Sequence, residues 1–251
     1  MNRRIRIALA VVLIMAIATT VTIVTTRSNA PAAPPASVGL VMDRHIPDVQ
    51  LIDDAGRSTS LAAYRGRYVV FANFLTLCQE ECPLVTAAFL SMERAVTAAG
   101  LAHEVAFVEV TVDPQRDTPA RLRAYAKEFG AHWALLTGTQ ANLNSFWRFL
   151  GIYHQVVPEP KPPEIDWYTG KPLTYDVDHT DGFILFDRGG NERFVTVNAP
   201  NLDGRLDPSL KGLLDSSGIN NLVHPAPQSW TVADGLAYLS WLVGSPIPAS
   251  G

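Results

Sequence analysis

Cysteine is scarce in this 251-residue sequence, which contains only Cys78 and Cys82. Two cysteines are too few for a scaffold that depends on several disulfide bonds. A chain that is 47% hydrophobic has enough apolar material to form a core without them. Positive charge is also scarce. The net charge of -4 becomes -8 when the four arginines before residue 31 are set aside. An acidic domain is a poor binder of nucleic acid, so that class of function is excluded.

Long apolar runs are absent except near the N-terminus, where residues 7–24 contain no charged side chain. As a helix this run would span about 27 Å, close to the thickness of a bilayer core. Three arginines precede it, which favours a cytoplasmic N-terminus (Arg3, Arg4 and Arg6). Residues 1–30 are therefore predicted to be a membrane anchor or signal segment, and Pro31 disfavours cleavage after Ala30. We expect an uncleaved anchor, a Pro/Ala-rich spacer over residues 31–44 and an extracytoplasmic domain.

The two cysteines lie where the sequence pattern changes from strand to helix. Residues 68–75 form a short apolar, aromatic-rich run typical of a buried strand, and residues 84–99 form a helical run that begins after Pro83. The exposed amides at a helix start favour thiolate over thiol. This pattern predicts that Cys78 and Cys82 bind a soft metal or exchange disulfides. An inert structural pair is the alternative interpretation.

The remaining pattern alternates strands with helices and then ends in a hairpin. Residues 106–112 and 133–136 are predicted strands, and each precedes a predicted helix, after Asp117-Thr118-Pro119 and around Leu143 to Leu150. Residues 182–186 and 193–197 are predicted to pair as a hairpin. We therefore expect an α/β fold, with a mixed central sheet flanked by helices and the cysteines at the end of a strand, where such sheets place their sites.

Four motifs in this order resemble those of the Sco/SenC family. They are Phe74-Leu75-Thr76-Leu77-Cys78-x-x-x-Cys82-Pro83, Val110 to Pro119 with its central Asp113-Pro114, Leu136-Thr137-Gly138, and Tyr175-Asp176-Val177-Asp178-His179-Thr180. The resemblance covers about residues 45–197. It implies a thioredoxin-like, membrane-anchored copper-binding protein of cytochrome c oxidase assembly, with Cys78, Cys82 and His179 as copper ligands. One departure is Gln79, where family members commonly have proline.

The donor types are consistent with copper independently of the resemblance. Two thiolates and an imidazole suit Cu(I), tolerate Cu(II) and exclude hard cations, with zinc as the chemical competitor. Three protein ligands also leave a position for a partner's ligand.

The nearby aspartates are expected to have structural roles. We expect Asp178 to be an exposed turn carboxylate; alternatively, it orients the His179 ring or acts as a weak fourth ligand. Asp113 and Asp117 are predicted to serve turn and helix-cap chemistry rather than catalysis.

The remaining five histidines have no motif around them and are not expected to bind metal (His45, His103, His132, His154 and His224). Beyond the resemblance, residues 198–251 are predicted to be a C-terminal extension. Residues 198–222 are expected to be irregular, and a capped helix is expected from Thr231 to Gly244.

Two functions from different classes remain open. In the first, the chain is a metallochaperone that passes copper to the binuclear copper site of an oxidase subunit, after loading by an unidentified donor and reduction by an unidentified thiol reductant. In the second, it is a thiol-disulfide oxidoreductase in which Cys78 and Cys82 cycle between dithiol and disulfide and keep oxidase cysteines reduced. Three residues between the cysteines, rather than two, favour the first function. A copper or redox sensor is a third interpretation.

Overall fold

A computed structural model of the chain describes residues 34–35 and 39–249, and a large mixed sheet lies at its centre. In the described residues the strands are β1 (Leu40–His45), β2 (Gln50–Asp53), β3 (Ser58–Ser60), β4 (Tyr68–Phe74), β5 (Val105–Thr111), β6 (Ala134–Thr137), β7 (His154–Val157), β8 (Asp176–His179), β9 (Ile184–Phe186) and β10 (Asn191–Val195). The helices are α1 (Cys82–Ala98), α2 (Pro119–Phe129), α3 (Gln140–Leu150), α4 (Pro208–Lys211), α5 (Ser216–Val223) and α6 (Val232–Val243).

The central sheet has the strand order β1-β10-β9-β4-β5-β6-β2-β3. Strands β4, β5 and β6 run parallel to one another, while β9 and β2 join this centre as antiparallel neighbours. The parallel strands are connected through α1 and α2, as parallel pairing requires a crossover. The carboxyl end of β4, which leads into the cysteines, therefore lies in the middle of the sheet, next to the end of β5.

Alternation along β4 divides the core into two layers. Val69 and Phe71 pack in a cluster with the aromatic side chains of α3. Val70 and Ala72 face the opposite side, where α1 and α6 cover the sheet. Both faces of β4 are buried, which explains why its sequence is a nearly continuous apolar run and does not alternate between apolar and polar residues. The predicted mixed sheet flanked by helices is confirmed.

Local signals set the helix boundaries as predicted. Pro83 lies in the first turn of α1, and the side chain of Thr118 accepts a hydrogen bond from the Arg121 amide at the start of α2. Helix α6 begins with a capping box formed by Thr231 and Asp234. Its C-terminal neighbour Gly244 adopts the left-handed conformation that ends a helix, so the helix predicted from Thr231 to Gly244 is confirmed.

The prediction that residues 198–222 are irregular is wrong, because α4 and most of α5 lie within that range. Asp207 and Asp215 cap these helices, and Leu210 and Leu222 are buried beneath them. The prediction failed because short helices of this kind form by packing against a neighbour and show little periodicity of their own. The first strand, β1, begins within the range predicted to be a spacer.

Over residues 34–35 and 39–249, no helix has both the length and the apolar character needed to cross a membrane. The predicted anchor, residues 7–24, lies outside the described residues.

Candidate metal centre

The cysteine loop, defined here as residues 78–82, connects the end of β4 to the start of α1. Cys78 lies in the turn, and its amide donates a hydrogen bond to the Leu75 carbonyl (3.3 Å). Cys82 is the first residue of α1 and is only 1% exposed. The Cys82 amide points at Cys78 Sγ, at 3.5 Å. A helix-start amide directed at sulfur stabilises a thiolate, so the local backbone prepares Cys78 for that form.

His179 reaches the cysteine loop from a separate two-stranded ribbon, formed by β7 and β8. It is the last residue of β8, lies opposite His154 in the pairing register, and its side chain is 3% exposed. His179 Nε2 lies 3.5 Å from Cys82 Sγ. One donor atom from each of Cys78, Cys82 and His179 lies within 4.8 Å of the others. The structure thus brings the three predicted residues together, and their role as metal ligands stays a prediction.

The other ring nitrogen of His179 faces a polar environment that sequence analysis did not identify. Nδ1 lies 3.2 Å from the Thr180 carbonyl, 3.2 Å from Asn73 Nδ2 and 3.6 Å from an Asp181 carboxylate oxygen. Asn73 Nδ2 donates its hydrogen bond to the same Thr180 carbonyl, at 2.8 Å. If Nε2 binds a metal, Nδ1 carries the proton and donates to this carbonyl, which fixes the ring tautomer.

Asp181, and not Asp178, is the carboxylate next to the His179 ring. Asp178 is exposed, as predicted, but it lies within strand β8 and not in a turn. The Asp181 side chain is 9% exposed and close to Nδ1. The position of Asp181, two residues after the histidine, was a signal available in the sequence. Asn73 was not detectable, because its contact depends on the distance in space between β4 and β8.

The two thiols have opposite electrostatic environments. Hydrogen bonds from Cys82 and His179, together with the positive imidazolium, hold the pKa of Cys78 well below its usual range in spite of burial. Burial, and then the neighbouring Cys78, raises the pKa of Cys82 well above its usual value. Cys78 is therefore the thiolate of the pair, and Cys82 keeps its proton until a metal or an oxidant replaces it.

Burial opposes the charged form of His179, but the Asp181 carboxylate and the Cys78 thiolate outweigh it and raise the pKa of His179 to about 10. Burial raises the pKa of Asp181 well above its usual range, and the charge of His179 opposes this shift only in part. We assign the shared proton to the imidazole, because His179 faces two acidic groups. In the metal-free protein the site is thus a thiolate-imidazolium pair beside a buried carboxylate.

An open cleft leads from solvent to the site, and acidic side chains surround its mouth. Its lining includes Cys78 and His179 together with Glu80, Glu81, Asp176 and Asp178. Burial and the neighbouring negative charges raise the pKa of Glu80 to about 7. Cys82 lies behind these residues in an apolar cluster with Phe74. One thiol of the pair thus faces the cleft, and the other faces the core.

Asp117 holds Thr76, two residues before the cysteine loop, and does not cap a helix, so that part of the prediction is wrong. Its carboxylate accepts hydrogen bonds from the Thr76 amide (3.1 Å), the Thr76 hydroxyl (2.5 Å) and the Thr111 hydroxyl (2.5 Å). Burial raises the pKa of Asp117 to about 6. The adjacent Thr118 provides the cap instead. Asp113 has the expected turn role, since it pairs with Arg116 and accepts a hydrogen bond from the Tyr175 hydroxyl (3.2 Å).

The proline-rich loop between β7 and β8 folds over the cysteine loop. Trp167 Nε1 donates to the Thr76 carbonyl (2.6 Å), and the Gln79 side chain donates to the Ile165 carbonyl (3.1 Å). The loop is itself fixed by a bidentate pair in which Arg121 donates to both oxygens of Asp166, at 2.7 and 2.8 Å. This tether joins α2 to the loop and holds the ribbon that carries His179.

In the part of the chain that the structure describes, Cys78, Cys82 and His179 form the one cluster of histidine, cysteine and acidic donors close enough to hold a metal ion. His45 and His154 form hydrogen bonds to Asn191 and Asn144 instead. The donor set, two sulfurs and one nitrogen, fits a soft or borderline ion and not a hard one.

The model of the SCO1/SenC family matches residues 41–204, which cover the cysteine loop and His179. The chain belongs to the SCO1/SenC family. A relative is the protein SCO2 homolog, mitochondrial, of Bos taurus, which is 27% identical over 143 residues. That match covers 57% of this chain and 50% of the bovine protein, so the chain spans about half the length of this relative.

Two solved members of the SCO1/SenC family have a similar fold. ScoI of Bradyrhizobium japonicum, with copper bound, is 25% identical with a TM-score of 0.51, and the match covers 71% of this chain and 99% of that one. ScoI of Arabidopsis thaliana, with copper bound, is 24% identical with a TM-score of 0.51, over 59% of this chain and 85% of that one. The mixed sheet flanked by helices is therefore the SCO1/SenC fold.

Proposed function

We propose that this chain is a copper metallochaperone that holds copper through Cys78, Cys82 and His179 and delivers it to the binuclear copper site of cytochrome c oxidase during assembly. The observation that carries the proposal is the convergence of the three donor atoms within 4.8 Å from two different parts of the fold. Membership of the SCO1/SenC family and the copper-bound ScoI structures support copper as the metal.

The donor chemistry supports both oxidation states of copper. Two thiolates are sufficient for linear Cu(I), and His179 adds the nitrogen donor that Cu(II) prefers. Thiolate Cys78 is available at neutral pH, and binding of the metal displaces the protons of Cys82 and His179. Copper outranks zinc in affinity at a site of this kind.

The shape of the site supports transfer over permanent storage. Three protein ligands leave a coordination position open, and Cys78 and His179 face the cleft through which a partner's ligand would approach. The acidic mouth favours a partner with a basic surface around its copper ligands. The partners in this proposal are the copper-bearing subunit of cytochrome c oxidase, a copper donor and a thiol reductant. We further propose that residues 1–30 anchor the domain to the extracytoplasmic face of a membrane.

The test is the copper stoichiometry and the Cu(I) and Cu(II) affinity of the reduced full-length chain. We expect one copper per chain, loss of tight binding in Cys78→Ser and Cys82→Ser, and weaker Cu(II) binding with an altered spectrum in His179→Ala. The matched control is His154→Ala, because His154 lies directly opposite His179 in the ribbon and bonds to Asn144. Wild-type affinity in either cysteine variant would refute the proposed site.

The second candidate is a thiol-disulfide oxidoreductase, which the asymmetry of the thiols favours. A half-buried cysteine with a lowered pKa next to a buried cysteine with a raised pKa is the arrangement of an attacking and a resolving thiol. The two functions differ in their response to His179→Ala. A reductase loses rate only as far as the pKa of Cys78 rises without the imidazolium, and a higher pH restores that rate, whereas a copper chaperone loses Cu(II) binding at every pH.

A further inference from the structure

We propose that a C-terminal segment outside the SCO1/SenC match holds the cysteine loop in its metal-binding conformation. The family match ends at residue 204. The segment, residues 210–223, is named here the clamp; it contains the end of α4 and all of α5. This inference rests on the proposed copper site, and it assigns a role to part of the chain for which the family resemblance gives none.

Polar contacts join the clamp to the three residues between the cysteines. The Asp215 amide donates a hydrogen bond to the Gln79 carbonyl (3.0 Å), and Asn221 Nδ2 donates to Glu81 Oε1 (3.3 Å). The Asp215 side chain accepts from the Gly218 amide (2.7 Å), which caps α5 at the point where it meets the loop. The clamp therefore holds the loop by both its backbone and a side chain.

Gly218 permits the closest approach between the two segments. A Cβ atom at this position would lie 2.9 Å from the Glu80 carbonyl oxygen and closer still to the Gln79 carbonyl oxygen. Both neighbours are backbone atoms, so a side chain could not be accommodated by a rotamer change. The backbone of Gly218 has an ordinary conformation for a helix, and glycine is needed here for space and not for a positive φ.

Apolar contacts anchor the clamp under the second thiol. Leu210 and Leu213 belong to the same buried cluster as Cys82, and Leu214 and Leu222 pack with Leu84 in the first turn of α1. These contacts help to keep Cys82 at 1% exposure while Cys78 is half-buried and faces the cleft. The clamp thus packs against the buried side of the loop, where Cys82 lies.

The consequence is a preorganised pair of sulfur ligands. A loop of three residues between two cysteines has several conformations in isolation, and only those that turn both sulfurs toward His179 bind metal through all three residues. Groups that orient metal ligands typically contribute 10–100-fold in affinity. The clamp stabilises the metal-binding conformation through contacts that lie outside the cleft. The cleft therefore stays open for transfer of the metal.

The test compares Gly218→Ala and Asn221→Ala with the control Gly212→Ala, all in the full-length chain. Gly218→Ala pushes against the loop backbone, and Asn221→Ala removes the bond to Glu81 without adding volume. Gly212 lies just after α4, and a Cβ there would meet nothing within 4 Å. The two measurements are Cu(I) and Cu(II) affinity by competition with a chelator, and the rate of iodoacetamide alkylation of Cys82 in the metal-free, reduced protein.

We expect Gly218→Ala and Asn221→Ala to bind copper about tenfold more weakly and to alkylate Cys82 severalfold faster. Gly212→Ala is also in the clamp, but its added methyl group meets nothing, so it is expected to match the wild type. Unchanged affinity and unchanged Cys82 alkylation in Asn221→Ala, which adds no steric clash, would overturn the inference even if Gly218→Ala does not fold. Absence of copper binding in the wild type would instead refute the proposed function. The alkylation measurement, which needs no metal, would then still test the clamp.

Discussion

At the scale of single residues, the site depends on which proton each donor carries. Cys78 is the thiolate, Cys82 keeps its proton, and the pKa of His179 is raised to about 10 by Asp181 and Cys78 against the opposing effect of burial. If His179 Nε2 binds copper as proposed, metal and proton compete for it, so Cu(II) affinity is expected to rise with pH until the imidazolium has lost its proton. The buried carboxylate orients the ring, and it also increases this competition.

The predicted consequence is a shift of the pH profile in Asp181→Asn. Without the carboxylate, the pKa of His179 falls, so Cu(II) affinity will reach its plateau at a lower pH than in the wild type. Cu(II) titrations between pH 6 and about 10 measure this shift. Asp178→Asn is the matched control, because Asp178 is an exposed carboxylate one residue from the same histidine. If both variants keep the wild-type profile, Asp181 does not act on His179.

At the scale of elements, the long buried strands and helices were predictable from sequence, while the ribbon that carries His179 was not. Strands β4 and β5 are apolar on both faces, and α2 has its start and end marked by Thr118 and Gly130. By contrast, β7 and β8 are four residues each and exposed or partly exposed, with only Val177 buried, so their residues show no clear alternation. The motif around His179 identified the residue, but only the fold shows how it reaches the thiols.

The ribbon is expected to position His179 through its hydrogen-bond ladder. The Thr180 amide donates to the Tyr153 carbonyl (3.0 Å), and alternation along an antiparallel pair makes Gln155 and Asp178 the next hydrogen-bonded pair. Gln155→Pro removes the amide needed there. We expect it to weaken Cu(II) binding about tenfold, with little change in Cu(I) binding, because the thiols lie on another part of the fold.

Gln155→Thr is the control for this variant, because it also loses the side-chain contact with the Tyr153 hydroxyl (2.6 Å) but keeps the backbone amide. Thermal unfolding of both proteins tests whether the central sheet is intact. Equal Cu(II) affinities of the proline and threonine variants would show that the ladder does not position His179.

At the scale of the whole molecule, the chain combines a family fold with an extension that sequence reasoning left without a role. The fold class followed from the alternation of strand and helix patterns, and the three candidate ligands, Cys78, Cys82 and His179, followed from the motifs around them. The contacts of Asn73 and α5 with the site did not follow, because each joins residues that are distant in sequence and that carry no motif. Asp181 is different, since it lies two residues after His179 and its position was visible in the sequence. Short polar segments take their structure from what they pack against, and that information is absent from their own sequence.

The last prediction concerns redox control of copper loading in the intact protein. Both cysteines are free in the structure, and their sulfurs lie within 4.8 Å of each other. Formation of the disulfide from the Cys78 thiolate and the Cys82 thiol releases two electrons and one proton. Glutathione disulfide takes up both electrons, this proton and a second proton from solvent to give two glutathione thiols. The disulfide removes both thiolates, so the oxidised protein will bind little Cu(I), and reduction will restore one copper per chain. The short loop between the cysteines makes this change local, and the unfolding temperature of the domain is expected to change by only a few degrees.

Cu(I) titration of the reduced and the glutathione-oxidised full-length chain measures the effect, and alkylation followed by mass spectrometry reports the state of each thiol. Copper loading of the reduced protein should protect both cysteines from alkylation, with Cys78, the residue that faces the cleft, showing the larger protection. The control is Cys82→Ser, which cannot form the internal disulfide and should give the same weak Cu(I) binding before and after treatment once mixed glutathione adducts are removed. Tight Cu(I) binding by the fully oxidised chain would mean that the two sulfurs are not the copper ligands, because a disulfide has no thiolate to offer.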